Sequence, residues 1–294
     1  MNNKVIALLL AVVISSGLIY SHPAYAHNFG GDETASFLAK VTEIKTEMNL
    51  LSKHISDSDS IDYYSDALGE YWNANDTKEM GERNALLQKE IPDTINATIN
   101  DVKAGNQDAV NADVSKLNGY LDEAIPVRVD KDKLNNSTVQ ALAVTFVLKE
   151  ALEKYGDATN ATVDLNDMSQ MNMGYNMSSM SGSSNVVDQY AYENSIGLAS
   201  GAQQMFNDLA AKNTDMSTSN DKISAAFTKL LQDLNNKADA NIIMIDAHVN
   251  IHPNLISAYN IQAVPEFPMP ALLVIISVIG VIAITRFRSI KLRQ

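Results

Sequence analysis

Apolar residues recur at spacings of three and four along most of the chain, and this period constrains the fold most strongly. Such spacing places side chains on one face of an α-helix. Residues 139–148 are apolar on nearly every face, as in a buried helix. The sequence therefore predicts an all-α fold, an antiparallel bundle of six to seven helices. The stripes comprise Phe37, Val41, Ile44, Met48, Leu51 and Ile55, and further sets within 87–102, 110–125, 192–209 and 223–249.

Glycine and proline predict where these helices end. Gly105 and Gly156 occupy positions typical of the residue after a helix, and Pro253 would end one long last helix over 223–249. Pro92 would kink or restart the helix that contains it.

Both ends of the chain are apolar and predict export and anchoring. Residues 1–26 contain Lys4, a long apolar run and Ala24-Tyr25-Ala26, a pattern that signal peptidases accept. Residues 269–285 carry no charge and precede a basic tail, so they are expected to cross a membrane with the bulk of the chain outside. An uncleaved N-terminal anchor is the alternative to a signal peptide.

The residues before the second apolar run, Val264-Pro265-Glu266-Phe267-Pro268, suggest how the chain is anchored. Over 265–294, this motif, the apolar run and the basic tail resemble the PEF-type sorting signals of archaeal cell-surface proteins. The resemblance implies a sorting transpeptidase as partner, which would cut near the motif. Plain retention of the membrane segment is the alternative.

Composition describes the part expected outside the cell. Residues 27–264 contain 17 basic and 34 acidic residues, a balance that disfavours nucleic acid and attracts cations. The chain has no cysteine, so this part depends on its core rather than on disulfides. Six Asn-x-Ser/Thr sites predict a glycoprotein, at Asn75, Asn96, Asn135, Asn136, Asn160 and Asn176.

The helical pattern divides into two blocks around an unpatterned segment. Residues 27–156 form the first part of the predicted bundle, and 187–260 form a helical hairpin that completes it. Residues 157–186 are rich in Met, Asn and Ser and predict a flexible loop.

Five methionines in that loop are the sharpest chemical feature. They fall within 13 residues, and thioether sulfur is a soft ligand that selects Cu(I). The segment resembles the methionine motifs of exported copper-handling proteins. A methionine-rich linker without a ligand is the alternative. The residues are Met168, Met171, Met173, Met177 and Met180.

Histidines offer further ligands. His248 and His252 are four residues apart on a predicted helix, where both rings face one side and could chelate a metal. Alternatively, they satisfy carbonyl groups at the helix end. His27 would become the N-terminal residue after signal cleavage, where its amine and imidazole could bind Cu(II).

No catalytic motif is recognisable in the sequence, which favours a non-enzymatic protein. Glu150 and Glu153 lie in a segment that resembles the Arg-Glu-x-x-Glu element of iron permeases. The alternative for these two residues is that they are exposed acids at helical spacing. The helical region as a whole is loosely similar to extracytoplasmic metal-uptake domains. The leading hypothesis is a surface-anchored metal-binding protein, copper before iron, in binding, storage or uptake, with a metal transporter as partner. The alternative is a structural or interaction protein of the cell envelope.

Overall fold

The computed structural model describes residues 32–167 and 183–262, and these residues confirm the all-helical prediction. The two described ranges contain no strand; one isolated antiparallel bridge joins Ser183 to Ala238. The α-helices are α1 (Glu33–Leu51), α2 (Ser58–Tyr71), α3 (Ala74–Gly81), α4 (Ala85–Ala104), α5 (Gln107–Arg128), α6 (Lys131–Leu134), α7 (Ser137–Thr159), α8 (Gln189–Lys212), α9 (Ser217–Asn235), α10 (Ala240–Ile245) and α11 (His252–Tyr259).

Seven of these helices have 14 or more residues, and four are shorter. The predicted count of six to seven helices therefore matches the long elements and misses the short ones. A 3₁₀ turn, Thr214–Met216, precedes α9, and a π-helical turn, Asp246–Ile251, joins α10 to α11.

Asparagine and aspartate side chains explain where most long helices begin. Asp32, Asn84, Asn136 and Asp188 each accept hydrogen bonds from backbone N–H groups in the first turn of the following helix. These first-turn donors have no partner within the helix, so each cap contributes about 1 kcal/mol.

Helix α1 lies between two apolar cores and contributes to both. Its predicted stripe, which includes Phe37, Ile44 and Met48, packs with α2–α5. On another side, Ala35 and Ala39 pack with α7–α11. Helix α7 is buried along nearly its whole apolar run, as predicted for 139–148. The position of α1 matters because its polar residues then lie between the two cores.

Glycine allows α8 to approach α1 closely. A Cβ atom added at Gly197 would lie 2.8 Å from Cγ2 of Thr46, and one at Gly201 would lie 3.0 Å from Cγ2 of Thr42. Contacts under 3.0 Å essentially do not occur, so the glycine at 197 sets the separation of the two helices.

Several predicted helix boundaries are wrong. Gly105 caps α4 with a positive φ of 74°, as expected, but Gly156 lies inside α7, and Asn160 takes the left-handed position instead. Pro92 lies within a continuous α4. Pro253 lies in the first turn of α11 rather than ending a helix, because proline lacks only the N–H that a first turn leaves unused.

The long last helix predicted over 223–249 is also wrong. It breaks after Asn235, where Lys237 adopts a positive φ, and the chain restarts at Ala240. Residues 187–260 therefore contain four α-helices rather than a hairpin.

Within 32–167 and 183–262, no helix is both long enough and apolar enough to cross a membrane. The predicted signal peptide, the PEF-type motif and the C-terminal membrane segment lie outside the described residues, as do residues 168–182 with the five methionines of the predicted loop. They stay predictions.

Candidate functional site

The structure brings His248 and His252 together in the π-helical turn and the start of α11. Both residues are buried, and their ring centroids are 4.9 Å apart. The extra residue in a π-helical turn changes the direction in which side chains project, and such turns are frequent at functional sites. The predicted spatial proximity of the two rings is thus present.

Hydrogen bonds define which nitrogen atoms face each other. Nε2 of His248 lies 2.6 Å from the carbonyl oxygen of Leu165, and a carbonyl only accepts, so Nε2 carries the proton. In the neutral ring, Nδ1 of His248 then has a lone pair. That atom lies 3.1 Å from Nδ1 of His252, which donates to it.

An ion pair holds the π-helical turn against α9. Nζ of Lys229 lies 2.9 and 3.1 Å from the two carboxylate oxygens of Asp246, the first residue of that turn. Burial raises the pKa of Asp246 to about 6, and the nearby Asp233 adds to the rise. The ion pair therefore fixes the backbone that carries the two histidines.

The other predicted ligands lie outside the described residues. They are Met168, Met171, Met173, Met177, Met180 and His27. Leu165, whose carbonyl accepts from His248, precedes Met168 by three residues. In the sequence, the five methionines therefore begin directly after the part of the chain that contacts the histidine pair.

A second polar site, which the sequence analysis missed, lies between α1 and α8. Nδ2 of Asn194 donates to Oε1 of Glu47 over 2.6 Å, and both side chains are fully buried. Glu43, one turn earlier on α1, is also buried. Burial raises the pKa of Glu43 to about 8, with Glu150 adding to the rise. Burial raises the pKa of Glu47 to about 7, although the bond from Asn194 opposes it.

Helix α7 contributes to the same site, here named the carboxylate cluster: Glu43, Glu47 and Glu150 with Lys154. Nζ of Lys154 lies 3.3 Å from Oε1 of Glu150, which also accepts from the hydroxyl of Tyr71 over 2.9 Å. The side chains of Glu150 and Lys154 are 24% and 16% exposed, so this end of the cluster reaches solvent. Glu150 is therefore half-buried and hydrogen-bonded, which differs from the alternative that both acids are exposed. Glu153 is exposed.

Two buried oxygen atoms, one from Glu47 in the cluster and one from the adjacent Asn194, have no hydrogen-bond partner. They are Oε2 of Glu47 and Oδ1 of Asn194. Each is an acceptor, and an unpaired buried acceptor costs about 1–3 kcal/mol.

A sequence signal for the carboxylate cluster exists in retrospect. Ala35, Ala39, Glu43 and Glu47 follow one another at intervals of four. This line continues the side of α1 that faces the second core, so its last two members are carried into the interior. The larger apolar residues of α1, such as Phe37, Ile44 and Met48, lie in the other core and predict nothing about this line.

Comparison with known proteins adds no assignment. The chain matches no protein-family model, no curated protein and no solved structure. Among the described residues, no group of three or more His, Cys, Asp or Glu side chains is arranged to hold a metal ion. A metal at either site would therefore need other ligands in addition, such as thioether sulfur, amide oxygen or water.

Proposed function

We propose that this chain is a surface-anchored, helical metal-binding protein, selective for copper before iron. Its antiparallel bundle would present a metal site outside the cell for binding, storage or uptake. A C-terminal segment would anchor it in the membrane, and a metal transporter would be its partner. The observation that carries the proposal is the pair of facing Nδ1 atoms of His248 and His252, 3.1 Å apart.

The spacing of these two nitrogens suits a shared metal ion. Imidazole nitrogen binds metals such as zinc at about 2.0–2.1 Å, so two ligands at angles of 90–110° lie roughly 2.9–3.4 Å apart. The observed separation falls in this range. His252 would ligate through Nδ1 once its proton moves to Nε2.

The contact with Leu165 supports the same role. Histidines that bind metals commonly donate their other ring N–H to a carbonyl or carboxylate, which orients the ring. Nε2 of His248 makes this kind of bond and leaves Nδ1 as the ligand atom. Two imidazoles complete only half of a four-coordinate site, and Met168 begins the supply of thioether sulfur three residues after Leu165.

A double-mutant cycle tests this proposal. One variant replaces Met168, Met171, Met173, Met177 and Met180 with Leu, another carries His252→Phe, and a third combines them. Cu(I) affinity is measured on the full-length chain in detergent, by competition with a colorimetric chelator. We expect each change to weaken binding by orders of magnitude, and the combined effect to be less than additive because both remove ligands of one ion.

Two control variants separate ligand loss from other effects. His54→Phe removes a histidine that is paired with Glu193 instead, and Met205→Leu with Met216→Leu removes two methionines outside the segment. Neither should change Cu(I) affinity. Unchanged affinity in the five-Leu variant and in His252→Phe would contradict the proposal.

The rival function is structural. A 3.1 Å Nδ1–Nδ1 distance is also that of a hydrogen bond between two neutral rings, which would simply join the π-helical turn to α11. In that case the protein would be a spacer or docking module of the cell envelope. His252→Phe would then lower stability without affecting any metal affinity.

A further inference from the structure

The carboxylate cluster holds more acid than its own cation can balance. Glu43, Glu47 and Glu150 face two ammonium groups, Lys154 and Lys40. Lys40 is itself paired with Asp76 over 2.7 Å, so with Asp76 included the fully ionised groups carry two excess negative charges. Charges buried without a partner are strongly unfavourable. Whatever occupies the unpaired end of the cluster is therefore expected to be positive or to donate hydrogen bonds.

The two oxygen atoms without a hydrogen-bond partner indicate more about the chemistry of that occupant. Oε2 of Glu47 and Oδ1 of Asn194 belong to side chains that are joined by a 2.6 Å hydrogen bond, and both side chains are fully buried. While Glu47 is ionised, neither oxygen can donate, so in that state they cannot satisfy each other. A cation that contacts both would satisfy two buried acceptors at once.

The location explains why these groups persist in the interior. Gly197 lies three residues after Asn194 and brings α8 against α1 beside Glu47. Both side chains are fully buried beside this close approach. At the other end, half-buried Glu150 and Lys154 give the cluster a path to the outside.

We propose that Glu47, Asn194 and Glu43 form a binding site for a hard divalent cation between α1 and α8. Carboxylate and amide oxygens are the ligands that Mg²⁺, Ca²⁺ and Mn²⁺ prefer, and such ions commonly keep several waters. Two carboxylates and one amide therefore suffice as protein ligands. The site shares no residue with the copper proposal, so either can fail without the other.

Mn²⁺ is the probe, because its paramagnetic resonance signal distinguishes free from bound ion. Titration of the full-length chain in detergent is expected to show one saturable site. Glu47→Gln replaces a ligand oxygen by an amide N–H₂ of equal size that can donate to Oδ1 of Asn194, so it should fold and weaken Mn²⁺ binding at least tenfold. Glu43→Gln is a second variant with the same expected direction.

Two controls make the result specific. Glu153→Gln removes an exposed acid from α7, and His252→Phe removes a proposed copper ligand; each should leave Mn²⁺ affinity within about twofold. Circular dichroism confirms folding of each variant. Absence of saturable binding in the wild type would mean that water or protons fill the site, and would overturn the proposal. Wild-type affinity in both Glu→Gln variants would overturn it as well.

Discussion

The histidine pair and the carboxylate cluster are both buried polar sites, but their chemistry is opposite. The histidine pair offers imidazole nitrogen, with one hydrogen bond between the two rings and one to a backbone carbonyl. The carboxylate cluster offers carboxyl oxygen, an internal ammonium group and, with Asn194, two acceptors that have no hydrogen-bond partner. The two sites therefore differ in the atoms that they could offer to a cation.

Under the two proposals, this difference would decide which cation each site binds. Nitrogen and sulfur favour copper, while oxygen favours hard cations. The histidine pair contacts Leu165, three residues before Met168 in the sequence, and the carboxylate cluster lies where Gly197 allows α8 to approach α1 closely. A single helical scaffold could therefore separate two classes of cation by position alone.

The largest effect is expected when the affinities for both metals are measured in both single variants. His252→Phe is expected to weaken Cu(I) binding at least a hundredfold and leave Mn²⁺ binding unchanged, because it removes a nitrogen ligand only. Glu47→Gln should do the reverse. Competition assays for Cu(I) and resonance titrations with Mn²⁺ on both proteins check this. If one variant weakened both metals equally, the two sites would not be independent.

Stability should depend on pH through the carboxylate cluster. The folded-state pKa values of Glu43 and Glu47 rise to about 8 and about 7, from an ordinary 4.5, so the folded protein binds more protons than the unfolded chain between these values. The free energy of unfolding should therefore fall as pH rises from 5 to 8, by about 2 kcal/mol or more.

Urea unfolding in the presence of a chelator measures this slope. Glu43→Gln and Glu47→Gln should flatten it, because neither amide titrates. Glu123→Gln, at an exposed position of α5, is the matched control and should leave the slope unchanged. A stability that increases from pH 5 to pH 8 would refute the assignment of buried, proton-binding carboxyl groups.

Separating α1 from α8 should have an intermediate effect. Gly197→Ala places a Cβ atom 2.8 Å from Thr46 and 3.2 Å from Leu50, so the helices must shift. We expect a loss of about 1–2 kcal/mol despite the better helix propensity of alanine. Gly119→Ala has no atom within 4 Å of its added Cβ and should instead stabilise by up to about 1 kcal/mol. Equal melting temperatures for the two variants would show that the close approach is unimportant.

Tyr71→Phe should have the smallest effect. It removes the hydroxyl that donates to Glu150 over 2.9 Å and leaves the ring in place. The expected loss is about 1 kcal/mol, measured by urea unfolding at pH 7. Tyr120→Phe removes a comparable, part-buried bond to Glu90 outside the cluster and should cost no more. A larger loss from Tyr120→Phe would contradict the importance assigned to the cluster.

The sequence predicted the helices better than their ends. The stripe through Phe37, Ile44 and Met48 and the apolar run over 139–148 identify buried faces, because period and burial are local properties. The break at 236–239 and the position of Pro253 in the first turn of α11 were missed, since they depend on how the chain turns back on the core.

The candidate sites show the same limit. Spacing alone predicted that His248 and His252 would be adjacent, because four residues make about one helical turn. No local pattern joined Glu47 to Asn194, which are 147 residues apart, or His248 to the carbonyl of Leu165. Tertiary contacts decide which polar groups are buried, and a single sequence records them poorly.

X-ray absorption at the copper edge of the copper-loaded, full-length protein tests the central claim most directly. We expect scattering from both nitrogen and sulfur around one copper ion, since His248 and His252 would supply imidazole and the five methionines would supply thioether. The nitrogen contribution should disappear in His252→Phe combined with His248→Phe, and the sulfur contribution in the five-Leu variant. A copper environment of oxygen alone, or one that these variants leave unchanged, would contradict the account.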